Sequence, residues 1–192
     1  ENPIALLYGS QNKTIGNNLL GNAFAEITLP FNLKYRSQFN AVLTNVKRDY
    51  FQDPFATLSG IPSGGSANSL YNEIFRWGLD NTLSWRKTFD RHSFDVVVGT
   101  AALKEKILNS FQSGEGFGSN VITTLNAANT NYTVNTSNYD WSTNSYFGRI
   151  NYSYGDRYLA TATLRRDGAS RVGQNSRWGN FPAFSLGWKL SN

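Results

Sequence analysis

From Leu33 to Val46 apolar and polar residues alternate with a period of two. Leu33, Tyr35, Phe39, Ala41 and Leu43 fall on one face; Lys34, Arg36, Gln38, Asn40 and Thr44 fall on the other, with Val42 the exception. Successive side chains of an extended strand point to opposite faces, so this segment is predicted as a strand with one apolar and one wet side. At about 14 residues it is more than twice the usual strand length of ~5–6. A helix would repeat its apolar residues three and four apart, and no stretch of useful length does so.

The same period predicts about seven strands: Leu19–Leu29, Leu33–Val46, Arg76–Phe89, Ser93–Lys104, Trp141–Tyr154, Tyr158–Arg166 and Phe181–Leu190. Their apolar faces carry Ala23, Ala25, Ile27 and Leu29; then Trp77, Leu79, Leu83, Trp85 and Phe89; then Phe94, Val96 and Val98. Further on come Tyr146, Ile150, Tyr152 and Tyr154; Tyr158, Ala160, Ala162 and Leu164; and Phe184, Leu186, Trp188 and Leu190. The expected class is all-β and antiparallel.

The connections alternate in length. Pro30–Asn32, Asp90–His92 and Gly155–Arg157 read as tight turns, whereas 47–75, 105–140 and 167–180 read as long loops rich in Gly, Ser, Asn and Pro. Short turns at one end and long loops at the other are the layout of outer-membrane barrels. Tyr35, Trp85, Phe89, Phe94, Tyr152, Tyr154, Tyr158 and Trp188 gather near the turn end on the apolar face, as in an interfacial girdle. The alternative is a soluble carbohydrate-binding β-sandwich with an aromatic core at one end.

Composition narrows the choice. Charged residues make up 16% of the 192 residues and aromatics 15%, which excludes a disordered, charge-rich tail. No run approaches the ~18 apolar residues of a membrane-spanning helix. Cysteine is absent, which removes disulfides, thiolate metal sites and cysteine nucleophiles. The net charge of +5 is spread along the chain rather than clustered, so nucleic acid is not an expected partner. The sequence starts at Glu1 without a basic and apolar leader, and the expectation is that the chain, residues 1–192, is an interior section of a longer protein.

Three blocks then carry a resemblance: Ser145–Tyr152 (SYFGRINY), Tyr158–Arg171 (YLATATLRRDGASR) and Arg177–Trp188 (RWGNFPAFSLGW), with Asn81–Trp85 (NTLSW) and Leu125–Ala128 (LNAA) upstream. Together they resemble SusC/RagA-type TonB-linked outer-membrane transporters of Bacteroidetes. Val172 and Asn180 depart from that pattern, and 47–75 matches it least. The resemblance implies part of a barrel of about 22 strands closed by a plug. It also implies import of a nutrient, an oligosaccharide or a peptide, a SusD-like surface lipoprotein as cap, TonB engaged through a segment outside this chain, and a location in the outer membrane among its lipids.

No catalytic residue and no metal or cofactor site is expected. His92 lies in a tight turn with no second His or Cys to complete a metal site, and Gly114–Gly118 lacks the spacing of a nucleotide loop. Glu26, Asp80 and Asp167 are not brought together as a glycosidase pair. The wet faces place Lys34, Arg36, Gln38, Asn40, Arg149 and Arg165 toward a barrel lumen, and Asp167 is expected to pair with Arg171. The candidate ligand contacts are loop residues whose rings and polar groups suit sugars or peptides: Tyr71, Phe117, Tyr132, Tyr139, Arg171, Arg177 and Trp178.

Overall fold

The structure, a computed structural model, describes residues 3–190. Seven strands form one sheet in sequence order: β1 (Ser10–Leu29), β2 (Leu33–Gln52), β3 (Ser66–Phe89), β4 (His92–Glu115), β5 (Thr130–Tyr154), β6 (Tyr158–Ala169) and β7 (Trp178–Trp188). The sheet is antiparallel, as the registers of β5 with β6 (Ile150 opposite Ala162) and of β6 with β7 (Ala162 opposite Phe184) show. A short helix, α1 (Pro3–Gly9), precedes β1, and one helical turn, α2 (Gly60–Ser63), lies between β2 and β3. No helix among the described residues is long and apolar enough to cross a membrane. There is also no second sheet among them to cover the apolar face, so the sandwich alternative lacks its other half.

All seven predicted strands are present, and most are longer than their alternation indicates. β1 begins at Ser10 rather than Leu19, β3 at Ser66 rather than Arg76 and β5 at Thr130 rather than Trp141, while β4 runs on to Glu115. The loops expected at 47–75, 105–140 and 167–180 therefore shrink to 53–65, 116–129 and 170–177. In β5 the added residues, from Asn131 to Asp140, are exposed on both faces. A strand wetted on both sides has no apolar period, and its Thr, Tyr, Val and Asn residues read as loop.

The tight turns adopt the backbone that hairpins require. Gly155 and Asp156 both have positive φ, and Arg157 N–H donates to the Tyr154 carbonyl at 3.1 Å. Positive φ at both central residues matches the right-handed twist of the flanking strands. At the β1–β2 turn, Phe31 and Asn32 take the same conformation without glycine.

By their contacts the residues divide into two compact units. Unit 1 comprises Glu1–Leu19, Val42–Phe75 and Lys106–Tyr139; unit 2 comprises Leu20–Ala41, Arg76–Glu105 and Asp140–Asn192. Unit 1 has a small true core of Phe51, Ala67, Phe117 and Ala128, with the Phe51 and Phe117 rings edge to face at 5.1 Å. Its connections are pinned by backbone bonds: Asp53 N–H to Gly9 O at 2.7 Å, Phe117 N–H to Gly64 O at 2.6 Å and Asn129 N–H to Glu115 O at 3.0 Å.

Unit 2 has the opposite arrangement. Its large apolar residues are on the surface: Leu186 is 89% exposed, Phe184 81% and Leu164 57%. On β2, Phe39 is exposed and Tyr35 half-exposed, and Leu43, which belongs to unit 1, is half-exposed as well, so the predicted apolar face is not buried in a core. Rings join across the turn end of that face, Trp85 to Phe94, Phe94 to Tyr152, Tyr154 to Tyr158 and Tyr158 to Trp188, at 5.1–6.5 Å. No ring contact among the described residues joins Tyr35 to this row; its hydroxyl donates to Asn81 Oδ1 at 2.8 Å. A second row appears at the far end of β7, where Trp178 stacks on Tyr146 at 5.9 Å. The 11 residues of β7 separate the two rows. At ~3.3 Å per residue and a tilt of about 40°, they span roughly 25 Å, the height of a barrel's apolar band.

Phe184 and Ser185 are neighbours on opposite faces of β7, opposite Ala162 and Thr161 respectively. Phe184→Arg in the full-length protein is expected to lower barrel stability by about 2–4 kcal/mol, and Ser185→Arg by no more than ~0.5 kcal/mol. Urea titration of the vesicle-inserted protein measures both. Equal losses at the two positions would contradict the assignment of faces.

Candidate functional site

The polar face is built from residues two apart on one strand and opposite one another on neighbours. Along β2, Arg36 donates to Gln38 Oε1 at 2.9 Å and Gln38 to Asn40 Oδ1 at 3.2 Å. From β1, Glu26 pairs with Lys34 at 3.0 Å, Asn22 donates to Asn40, and the Phe24 ring lies 4.6 Å from the Arg36 guanidinium. Arg36, Gln38 and Asn40 thus form one hydrogen-bonded track with Asn22, and Lys34, on the same face, is held separately by Glu26. Arg149 takes the same face of β5, opposite Thr163.

Arg165 anchors a second patch of that face. Its Nε lies 2.8 and 2.9 Å from the two carboxylate oxygens of Asp167, and its Nη2 donates to Ser145 at 3.0 Å. The Arg165 guanidinium is 5.8 Å from the Phe147 ring centre. That ring lies against Gly99, where an added Cβ would sit 2.5 Å from Phe147 Cζ. Glycine is therefore required at 99 for Phe147 to lie flat. Ser145, Arg165, Asp167, Arg177 and Phe181 line a concavity of about 470 Å³. The expected Asp167–Arg171 pair does not form, because Asp167 is still in strand β6 on the same face as Arg165, two residues away.

Arg171 belongs to a third group. Its guanidinium stacks 4.3 Å above the Trp141 ring, and Trp141 Nε1 donates to Glu105 Oε1 at 2.8 Å. Arg76 clasps Oε2 of the same carboxylate through Nε at 2.6 Å and through Nη2. Glu105 is buried. Trp141 is several residues past Tyr146, so this group lies beyond the apolar band. Burial opposes ionisation of Glu105, but the indole N–H, the Arg76 hydrogen bonds and the nearby guanidinium charges outweigh it and hold the carboxyl below its ordinary pKa. Sequence reasoning missed this cluster, since Glu105 marked the start of a presumed loop and no local motif pairs it with Arg76 or Trp141.

The remaining ligand candidates do not converge. In unit 1, Phe117 is buried in the core, Tyr71 in β3 donates to Glu73 at 2.7 Å, Tyr132 donates to the Ala128 carbonyl, and Tyr139 is exposed on β5. In unit 2, Arg177 Nε reaches Val172 O at 3.4 Å and is the one candidate that lines the polar concavity. Trp178 stands in strand β7, not in a loop, and on the apolar side with Tyr146. His92 lies beside the turn-end aromatic row, its Nδ1 2.8 Å from the Tyr152 hydroxyl. Among the described residues no three His, Cys, Asp or Glu side chains are grouped to hold a metal.

A sheet with a lipid-type apolar face, two aromatic rows and a hydrogen-bonded polar face defines a section of the wall of a large transmembrane β-barrel. More narrowly, the chain is similar to SusC/RagA-type TonB-dependent receptors, as its sequence blocks indicate. SusC of Bacteroides thetaiotaomicron is 28% identical over 201 residues, covering 99% of this chain and 19% of its own length. One TonB-dependent receptor of Formosa agariphila is 27% identical over 193 residues, covering 100% of this chain and 19% of its own, and another is 37% identical over 124 residues, 62% and 12%. The RagAB peptide transporter superposes with a TM-score of 0.85 at 18% identity, over 93% of this chain and 20% of that one. The ferric citrate transporter FecA does so with a TM-score of 0.56 at 11% identity, over 94% and 26%. No family model matches. The chain spans about a fifth of the length of the relatives it matches along its whole extent.

Glu105→Ala is expected to destabilise the full-length barrel by about 1–3 kcal/mol at neutral pH, by removing charge-assisted hydrogen bonds and leaving Arg76 unpaired. Because Glu105 binds its proton more weakly folded than unfolded, its contribution is complete at neutral pH and is lost as pH falls through the folded pKa. Unfolding titrations of parent and variant across the acid range should therefore converge at low pH. A gap that stays constant would show that the carboxylate charge is not what holds the cluster.

Proposed function

We propose that the chain forms part of the barrel of an outer-membrane transporter that imports a nutrient, an oligosaccharide or a peptide, with energy delivered by TonB through a segment outside this chain. The observation that carries the reading is the division of faces in unit 2: apolar residues exposed on one side, and on the other a wet track from Glu26 and Lys34 to Asn40 with the Arg165 concavity. A lumen lined this way hydrogen-bonds water and polar solutes without needing a core behind it. The named relatives are receptors and transporters rather than enzymes, and the chain is read as part of a protein with no catalytic role.

Residues 1–192 are one interior section of that barrel, and the connections 53–65, 116–129 and 170–177 are extracellular, since strands cross once each and the tight turns take the periplasmic side. A SusD-like lipoprotein would cap the barrel on the loop side, in keeping with relatives named SusC and RagAB. Of the ligand candidates, Arg177 is the best placed, beside Ser145, Arg165 and Phe181. Tyr71, Tyr132, Tyr139 and Arg171 are weaker candidates, each already partnered or set apart, and Phe117 and Trp178 would act through packing.

Deletion of the parent gene should abolish growth on one class of oligosaccharide or peptide, and the full-length gene should restore it. Restoration with Arg165→Ala and Arg177→Ala together is expected to reduce uptake several-fold while surface abundance is kept. Unchanged uptake of every glycan and peptide offered to the deletion strain would overturn import. An epitope placed within 116–129 should be reached by antibody on intact cells.

A further inference from the structure

The apolar side of unit 2 is not uniform. Leu83, Val98, Tyr146, Gly148, Leu164 and Arg166 surround a groove of about 600 Å³. Its floor is low because Gly148, opposite Leu164 in the ladder, has no side chain. An added Cβ there would meet only Val98 Cγ1 at 3.7 Å and a backbone oxygen at 3.9 Å, so the gap is not demanded by packing. Arg166 marks the groove end nearer the Tyr146–Trp178 row, on the same side as Trp178, whose ring is 5.0 Å from its guanidinium. None of the ion pairs among the described residues engages Arg166, whereas Arg165 on the other face is neutralised by Asp167. Asn81 also lines the groove; the Tyr35 hydroxyl satisfies its carbonyl oxygen, leaving the NH2 for an ester or hydroxyl oxygen.

We propose that this groove holds one anionic membrane lipid, with its phosphate on Arg166 and an acyl chain lying over Gly148. The occupant follows from the combination: a trough with mostly apolar lining, a guanidinium at its mouth that no ion pair among the described residues neutralises, and the Tyr146 and Trp178 rings that set the mouth at interfacial depth. A guanidinium forks onto phosphate oxygens and gains strength where water is scarce. Trp178 supports it from one side and fixes its position. The inference rests on the reading of this face as lipid-facing.

The test uses the full-length protein inserted in vesicles of equimolar phosphatidylglycerol and phosphatidylcholine, then extracted in mild detergent and weighed by native mass spectrometry. The parent should retain a phosphatidylglycerol molecule in preference to phosphatidylcholine. Arg166→Gln is expected to lower that retention about fivefold or more, and Gly148→Leu, which fills the trough, to lower retention of either lipid. Arg165→Gln, on the opposite face, removes a guanidinium of the same kind and should leave phosphatidylglycerol retention at the parent's level. Retained heat-modifiable gel mobility shows that each variant is folded. Equal retention by parent, Arg166→Gln and Gly148→Leu overturns the lipid site while leaving the barrel reading intact. If both variants instead dissociate a dimer without changing retention, the groove is an interface between copies and the proposal is wrong. Failure of the parent itself to insert would remove the lipid-facing reading and the proposal together.

Discussion

The ladder of backbone hydrogen bonds between sequence neighbours is the constraint on which everything else here depends. In hydrocarbon no water is available to satisfy an N–H or C=O, and an unpaired one costs several kcal/mol. The sequence therefore has to supply strands long enough to pair across the membrane and turns tight enough to keep adjacent strands in register. The turns at Phe31–Asn32 and Gly155–Asp156 accept positive φ for this reason. Once the ladder exists, side chains are free to serve two different solvents. The buried cluster of Phe51, Ala67, Phe117 and Ala128 in unit 1 then organises connections rather than stabilising a globule.

This explains how much was legible beforehand. Alternation is visible only where one face meets an apolar phase and the other meets water. In β2 the contrast between Tyr35, Phe39 and Leu43 and their neighbours Arg36, Gln38 and Asn40 located the strand and both faces. Beyond the apolar band the contrast vanishes: Asn131 to Asp140 are exposed on both sides, and β5 continues through them without an apolar face, with polar contacts such as Lys104–Asp140 and Asn109–Ser137 beside the ladder. The same loss hid the Arg76–Glu105–Trp141 cluster, whose three members come from strands that the alternation ended or began near those very positions. Trp178 misled in the other direction. Placed beside a glycine- and asparagine-rich loop, it read as a ligand contact, whereas its parity with Tyr146 and Arg166 puts it on the apolar side.

Glycines show how close packing on a sheet can be set by what is missing. Gly99 has no side chain because Phe147 needs the space on the polar face, and Gly168 none because the Trp178 ring covers it, within 2.8 Å of where a Cβ would be. Both positions would be strained by alanine for steric rather than conformational reasons. Gly148 is different: its space is open, and the vacancy itself shapes the apolar surface.

Arg165 and Arg166 show the same division of faces within one pair of residues. They are adjacent, chemically identical and separated only by the period of the strand. Parity sends the first to Asp167, Ser145 and the Phe147 ring, where its charge is neutralised by a carboxylate two residues away. It sends the second to the Trp178 ring, where the ring face can attract the cation but cannot cancel its charge. A slip of one residue in the β5–β6 register would exchange the two, placing a carboxylate on the lipid side and Leu164 in the lumen. Such a slip is opposed at every step of the ladder, since Thr163, Arg165 and Asp167 would come to lie beside Tyr146, Gly148 and Ile150 on the apolar face. Neighbouring identical residues can thus hold opposite roles without any local feature to distinguish them, because their environments are assigned by the sheet as a whole.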